Sequence, residues 1–181
     1  MAEDGRSVIV TGAASGIGRA TALRFAQSGA RLLVNDVTGD ALEETAASAR
    51  EAGAIDVLTH VADVGSRERV EAMVARAAKR FGGLDVMVAN AGVSIVAPFL
   101  EMTEQQLDRT LAVNVKGVAW CGQMAARVML EGRSPHRGSI VNIASTYGEV
   151  GAPDCAAYCA SKGGVRMLTK VMAIELGPLG L

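Results

Sequence analysis

The sequence predicts a doubly wound α/β domain, a parallel sheet covered by helices on both faces. Three observations carry that expectation. Short β-branched runs alternate with alanine-rich segments of helical period along all 181 residues. The candidate strands are almost continuously apolar, as strands buried on both faces must be. The first of them runs straight into a glycine-rich turn that opens a helix.

Taken in order, "SVIVT" at 7–11 is the first strand and 16–28 the first helix. "RLLVND" at 31–36 follows, then a helix over 39–53 whose start "DVTGD" offers N-cap residues. "DVLTHVAD" at 56–63 is the third strand, and "DVGSRE" caps a helix over 66–81. "LDVMVAN" at 84–90 is the fourth strand; "EMTEQQ" begins a long helix over 103–131. A polar connector, "RSPHRG" at 133–138, leads to the fifth strand "GSIVNIAS" at 138–145, and a last helix spans 155–176. Such alternation builds βαβ units with right-handed crossovers. Without a repeat or linker, residues 1–181 read as one domain.

Bulk properties narrow the function. Half the residues are hydrophobic, yet charges interrupt every apolar stretch before the roughly 20 residues a membrane span needs. The start "MAEDGRSVIV" is acidic and unlike a secretory signal. A net charge of −1 with scattered Lys and Arg gives no footprint for nucleic acid. Cys121, Cys155 and Cys159 are an odd number with neither disulfide nor metal-ligand spacing, so no metal is expected. These features fit a reducing compartment, the cytoplasm. His60 and His136 lack a partner pattern and read as structural or exposed.

The turn "TGAASGIGRA" places Gly12, Gly16 and Gly18 between strand and helix. Glycines let the backbone approach a pyrophosphate, whose charge meets free N–H groups at the helix N-terminus. Asp36 ends the second strand 18 residues after Gly18, where a carboxylate can accept the adenosine ribose hydroxyls. A 2′-phosphate would meet like charge there, and Ser15 and Val37 offer no cation. NAD is therefore expected rather than NADP. The duller reading of Asp36 is a strand-end turn residue.

"YCASK" sets Tyr158 and Lys162 four residues apart, one helical turn, on a shared face. An ammonium beside a phenol favours its ionised form, which suits a proton donor and acceptor. An amphipathic helix that merely carries both residues would look the same. "TGAASGIG" (11–18), Asp63 in "ADV", "NAG" (90–92), Asn114 in "VNVKG", Ser145 in "VNIAS" and "YCASK" (158–162) recur in one order. With these motifs the chain resembles the short-chain dehydrogenase/reductase family from Ser7 to Leu181. The likeness is to branches such as the 3-oxoacyl-carrier-protein reductases and glucose dehydrogenases.

That resemblance implies a Rossmann-type sheet of strand order 3-2-1-4-5. It also implies an NAD(P)-dependent oxidoreductase acting on a small-molecule alcohol or carbonyl. Tyr158 would be the general acid or base. Lys162 would tune it and hold the nicotinamide ribose. Ser145 would hold the substrate oxygen, and Asn114 a water linking Lys162 to solvent. Gly12, Ser15, Gly16, Ile17 and Gly18 would form the cofactor turn. Asp63 and Val64 would face the adenine, and Asn90, Ala91 and Gly92 would line the cofactor. Tyr147 would line the substrate loop. Singly, Ser145 could cap a strand end, Asn114 could satisfy its own helix, "NAG" could be a turn and Asp63 a helix cap.

Homodimers or homotetramers are implied too, through the helices at 103–131 and 155–176; a singly buried helix would show the same apolar surface. Members of the family continue beyond "GPLGL" into a sixth strand. The expectation is thus a truncated domain whose fifth strand keeps an open edge, and the alternative function is nucleotide binding without turnover.

Overall fold

The computed structural model describes residues 5–132 and 137–181, so His136 and most of the 133–138 connector lie outside the described residues. Five strands form the sheet: β1 (Ser7–Thr11), β2 (Arg31–Asp36), β3 (Asp56–Val61), β4 (Val86–Ala89) and β5 (Ser139–Asn142). All pairings are parallel, as the strand–helix alternation predicts, and the order is β3-β2-β1-β4-β5, as the family resemblance implies. β1 is central: its five residues are all buried and pair with β2, and Val8, Ile9 and Val10 also pair with β4.

The alternation of side chains divides the core. Val8 and Val10 of β1, with Leu32 and Val34 of β2, join Ala22, Ala26, Leu42, Ala46 and Ala49 on one face. Those residues come from α1 (Gly16–Ala26) and α2 (Gly39–Glu51). Ile9 and Leu33 point the other way, towards Val70, Met73, Cys121, Met129 and Val165. Their partners come from α3 (Arg67–Phe81), α5 (Gly117–Glu131) and α6 (Ala156–Leu176). Alanines let α1 and α2 approach the sheet closely, and each fully buried large side chain such as Leu42 contributes about 2 kcal/mol.

The structure departs from the expected elements in three places. The helix expected over 103–131 has α4 (Glu104–Leu111), a π-helical turn at Ala112–Lys116, then α5. Its start is a capping box: Gln106 N–H donates to Thr103 Oγ1 at 3.3 Å and Thr103 N–H to Gln106 Oε1 at 2.9 Å. The π turn lengthens one hydrogen-bonded ring, Gly117 N–H to Ala112 C=O, a feature frequent at functional sites. Secondly, Thr38 stands at the α2 N-cap but its side chain caps nothing. Just before the helix, the Asp36 carboxylate accepts the Val37 and Thr38 N–H groups at 2.7 and 3.2 Å. Thirdly, β3, β4 and β5 stop short of the predicted spans at their C-terminal ends, where chain leaves the sheet to build the site. Among the described residues β5 pairs only with β4, and Val141 is 45% exposed.

Candidate active site

The C-terminal ends of β1 and β4 meet because these strands are neighbours. Thr11 laces them together. Its hydroxyl donates to Val88 C=O at 3.3 Å and accepts the Asn90 and Ala91 N–H groups at 3.0 and 3.1 Å. The Asn90 amide returns the contact, donating to Thr11 C=O at 2.9 Å and Gly12 C=O at 3.2 Å. Gly12 has φ +65°, and a Cβ there would lie 2.8 Å from Ala91 Cα. Gly18 is pressed harder: its Cβ would stand 2.0 Å from Gly12 C=O oxygen. Gly16, at φ +52°, is different, since nothing lies within 4 Å of a Cβ placed on it. Ser15, Gly16 and Ile17 face solvent at the start of α1, whose first turn carries no acidic residue. The first turn of α1 thus adds no negative charge of its own to the open side of the turn.

A cleft of about 90 Å³ crosses the C-terminal ends of the central strands. Gly12, Asp36, Asp63, Val64, Ala91 and Gly92, all singled out from sequence, line it. Besides its two bonds at the α2 start, the Asp36 carboxylate accepts Ala14 N–H at 3.0 Å, which fixes it beside the glycine turn. Asn35, buried next to it, donates to His60 and Ala62 C=O at 2.8 and 3.0 Å and ties β2 to the segment carrying Asp63. Asp63 accepts Gly65 N–H at 2.9 Å on one oxygen and the Arg109 guanidinium on the other. Burial alone pushes the Asp63 carboxyl up, but the Gly65 N–H and Arg109 outweigh it and hold it below its ordinary value.

The other residues gather at the far end. The π turn directs Asn114 inward, fully buried, where its amide donates to Val93 C=O and Ser161 Oγ, both at 2.9 Å, and accepts Val93 N–H at 2.8 Å. This amide holds the loop after β4 to α6. Lys162 is 4% exposed and donates to Ile143 C=O at 2.7 Å. Burial holds its ammonium below the ordinary lysine value. Its nitrogen lies 5.7 Å from the Tyr158 ring centroid, as the one-turn spacing requires. The Tyr158 ring meets Tyr147 edge to face at 6.3 Å, and Tyr147 N–H donates to Ser145 Oγ at 3.1 Å. Ser145 and Tyr158 are thereby joined through Tyr147.

The family model for short chain dehydrogenases matches residues 6–181. The chain belongs to the short-chain dehydrogenase/reductase family. A short-chain dehydrogenase/reductase of Armillaria gallica is 40% identical, covering 98% of this chain and 67% of its own length. The 3-oxoacyl-acyl-carrier-protein reductase of Thermotoga maritima is 38% identical over 97% of this chain and 70% of its own. Among solved structures, a short-chain dehydrogenase/reductase from Mycobacterium marinum superposes with TM-score 0.92 at 34% identity, over 98% of this chain and 72% of the other. NAD+-bound xylitol dehydrogenase gives 0.90 at 37%, over 97% and 66%.

As a short-chain dehydrogenase/reductase the chain is an oxidoreductase of nicotinamide-binding type. Among the described residues no helix is long and apolar enough to cross a membrane. Sequence reading missed three side chains that organise the site. Asn35 and Arg109 position Asp63; Arg166 donates to Gly148 C=O at 3.1 Å and pairs with Glu149 at 2.8 Å, docking the Ser145–Gly148 turn on α6. None had a local signal, because each partner is distant in sequence or is backbone.

Proposed function

We propose that this chain is an NAD-dependent dehydrogenase or reductase that interconverts a secondary alcohol and its carbonyl. The observation that carries the reading is the buried Lys162 ammonium one helical turn from Tyr158, anchored on Ile143 C=O beside the Ser145 turn. When bound, the nicotinamide supplies the hydride acceptor or donor. Tyr158 takes the hydroxyl proton in oxidation and returns it to the carbonyl oxygen in reduction. Lys162 sets the charge that Tyr158 works against and reaches the nicotinamide ribose. Ser145 donates to the substrate oxygen as charge develops. Asn114 keeps the post-β4 loop and α6 in register.

Gly12, Ser15, Gly16, Ile17 and Gly18 hold the pyrophosphate at the α1 N-terminus, with Asn90, Ala91 and Gly92 along the cofactor's flank. The open space over Gly16 and the backbone donors around it support that placement. Asp36 takes the ribose hydroxyls and disfavours a 2′-phosphate. Arg109, the cation lining the same cleft, is committed to Asp63. Similarity to the NAD+-bound xylitol dehydrogenase fits this preference.

The same reading includes homo-oligomers. A groove of about 350 Å³ between α5 and α6, lined by Trp120, Leu168, Val171 and Met172 among others, supports pairing of copies there.

The test is calorimetric titration with NADH and NADPH, followed by NADH consumption against a panel of ketones. NADH binding with turnover, and Tyr158→Phe retaining binding while losing at least about 100-fold in rate, is the expected result. Activity surviving in Tyr158→Phe sinks the proton-transfer assignment. Binding without turnover across the panel would instead fit a nucleotide-binding protein.

A further inference from the structure

We propose that Arg109 is the positioning residue of the adenine end of the cleft, fixing the Asp63 carboxylate so that it reads the exocyclic amino group of the base. The inference rests on the nicotinamide-dinucleotide reading above. The geometry behind it is a carboxylate held from two sides. One Asp63 oxygen accepts Gly65 N–H at 2.9 Å; the other accepts the Arg109 guanidinium, reaching over from α4. Both residues line the cleft that also holds Gly12 and Asp36. Each carboxylate oxygen has two lone pairs. The two clamping bonds therefore leave each oxygen one acceptor site, aimed by protein donors before any ligand arrives.

A purely structural reading of the pair is weak. The side chains of Arg109 and Asp63 are 41% and 36% exposed, and ion pairs that open to water add little to folding. Orientation is what a two-sided clamp does supply. Arg109, with the charge of Arg69 on α3, also favours the ionised, hydrogen-bond-accepting form of Asp63. Adenine presents an N–H donor at its 6-position, while hypoxanthine presents a carbonyl oxygen there. An ionised, fixed carboxylate favours the first and repels the second.

The experiment compares binding of NADH with that of reduced nicotinamide hypoxanthine dinucleotide to wild type, Arg109→Gln and Arg109→Lys. Wild type is expected to prefer NADH by roughly tenfold, the worth of one hydrogen bond to a charged group. Arg109→Gln should bring that ratio towards unity with little change in melting temperature, and Arg109→Lys should restore part of it. Carboxyl NMR of the ligand-free proteins gives a second readout: the Asp63 titration should move to higher pH in Arg109→Gln. Equal preference in wild type and Arg109→Gln, or an Asp63 titration that does not move, overturns the inference. No binding of either dinucleotide to wild type overturns the nicotinamide reading itself and this inference with it.

Discussion

Two glycines separated by one residue make opposite predictions. Replacing Gly18 by Ala places a methyl 2.0 Å from Gly12 C=O oxygen and 2.6 Å from Asn90 Nδ2. The nearest obstacle is backbone, so no rotamer change relieves the overlap. Overpacking of this kind costs about 3 kcal/mol. The disturbed Asn90 bonds to the turn add about 1 kcal/mol, and the better helix propensity of alanine returns about 1 kcal/mol. The net loss of about 3 kcal/mol should lower Tm by roughly 6–12 °C in a chain of this size. Replacing Gly16 meets no atom within 4 Å, and only the φ of +52° is unfavourable. That strain is about 1–2 kcal/mol, or a Tm shift of roughly 2–8 °C. Its methyl, however, enters the space assigned to the pyrophosphate, so the NADH Kd should rise by about tenfold or more. Scanning calorimetry and NADH titration of the two variants provide the assay. A Gly18→Ala protein that melts with wild type would refute the packing argument. A Gly16→Ala protein that binds NADH as wild type does would remove the phosphates from this turn.

Further outcomes follow from burial. The Lys162 ammonium titrates below its ordinary value of 10.5 because it is desolvated. Below the folded-state pKa the burial penalty is fully present. Between that pKa and 10.5 the unfolded chain binds more protons, so stability rises with pH. Urea midpoints should therefore show wild type gaining on Lys162→Met as pH is raised into that window; a difference constant with pH would contradict desolvation. Burial pushes the Cys121 thiol up to about 12, whereas Cys155 and Cys159 are half-buried near the start of α6. A thiol reagent at pH 8 should label Cys155 and Cys159 in the native protein and reach Cys121 only on unfolding. Labelling of native Cys121 at a comparable rate would show that the α5 face opens.

Features set by neighbours in sequence were legible, and features set by distant partners were not. Alternating apolar runs and alanine-rich periods gave the sheet and its helices, since a strand buried on both faces is apolar over most of its length. The glycine turn was readable because its glycines, strand and helix are contiguous. Tyr158 and Lys162 were readable because helical geometry alone brings them together. The π turn was invisible, because one extra residue in a helical ring barely disturbs an amphipathic pattern already broad at "LAVNVKGVAWCGQ". Arg109 lies 46 positions from Asp63, and only the packing of α4 over the end of β3 reveals the pair. Asn114 was singled out by its motif, but its bonds to Val93 and Ser161 depend on where three elements meet. The three bonds that fix the Asp36 carboxylate have the same origin, since Ala14 reaches it from the glycine turn 22 positions away.

The lacing around Thr11 bears on how a ligand enters. β1 and β4 flank the point where the chain reverses its direction of winding, and a crevice there could in principle widen by splaying those strands. Thr11 and Asn90 close that option, because separation would break their hydroxyl, amide and main-chain bonds together. The seam acts as a rivet, not a hinge. Whatever breathing admits a dinucleotide must occur in the segments beyond the strand tips, after Gly92 and around the Tyr147 turn. Mutations that alter the rate of ligand exchange therefore belong on the rim of the crevice rather than on its floor.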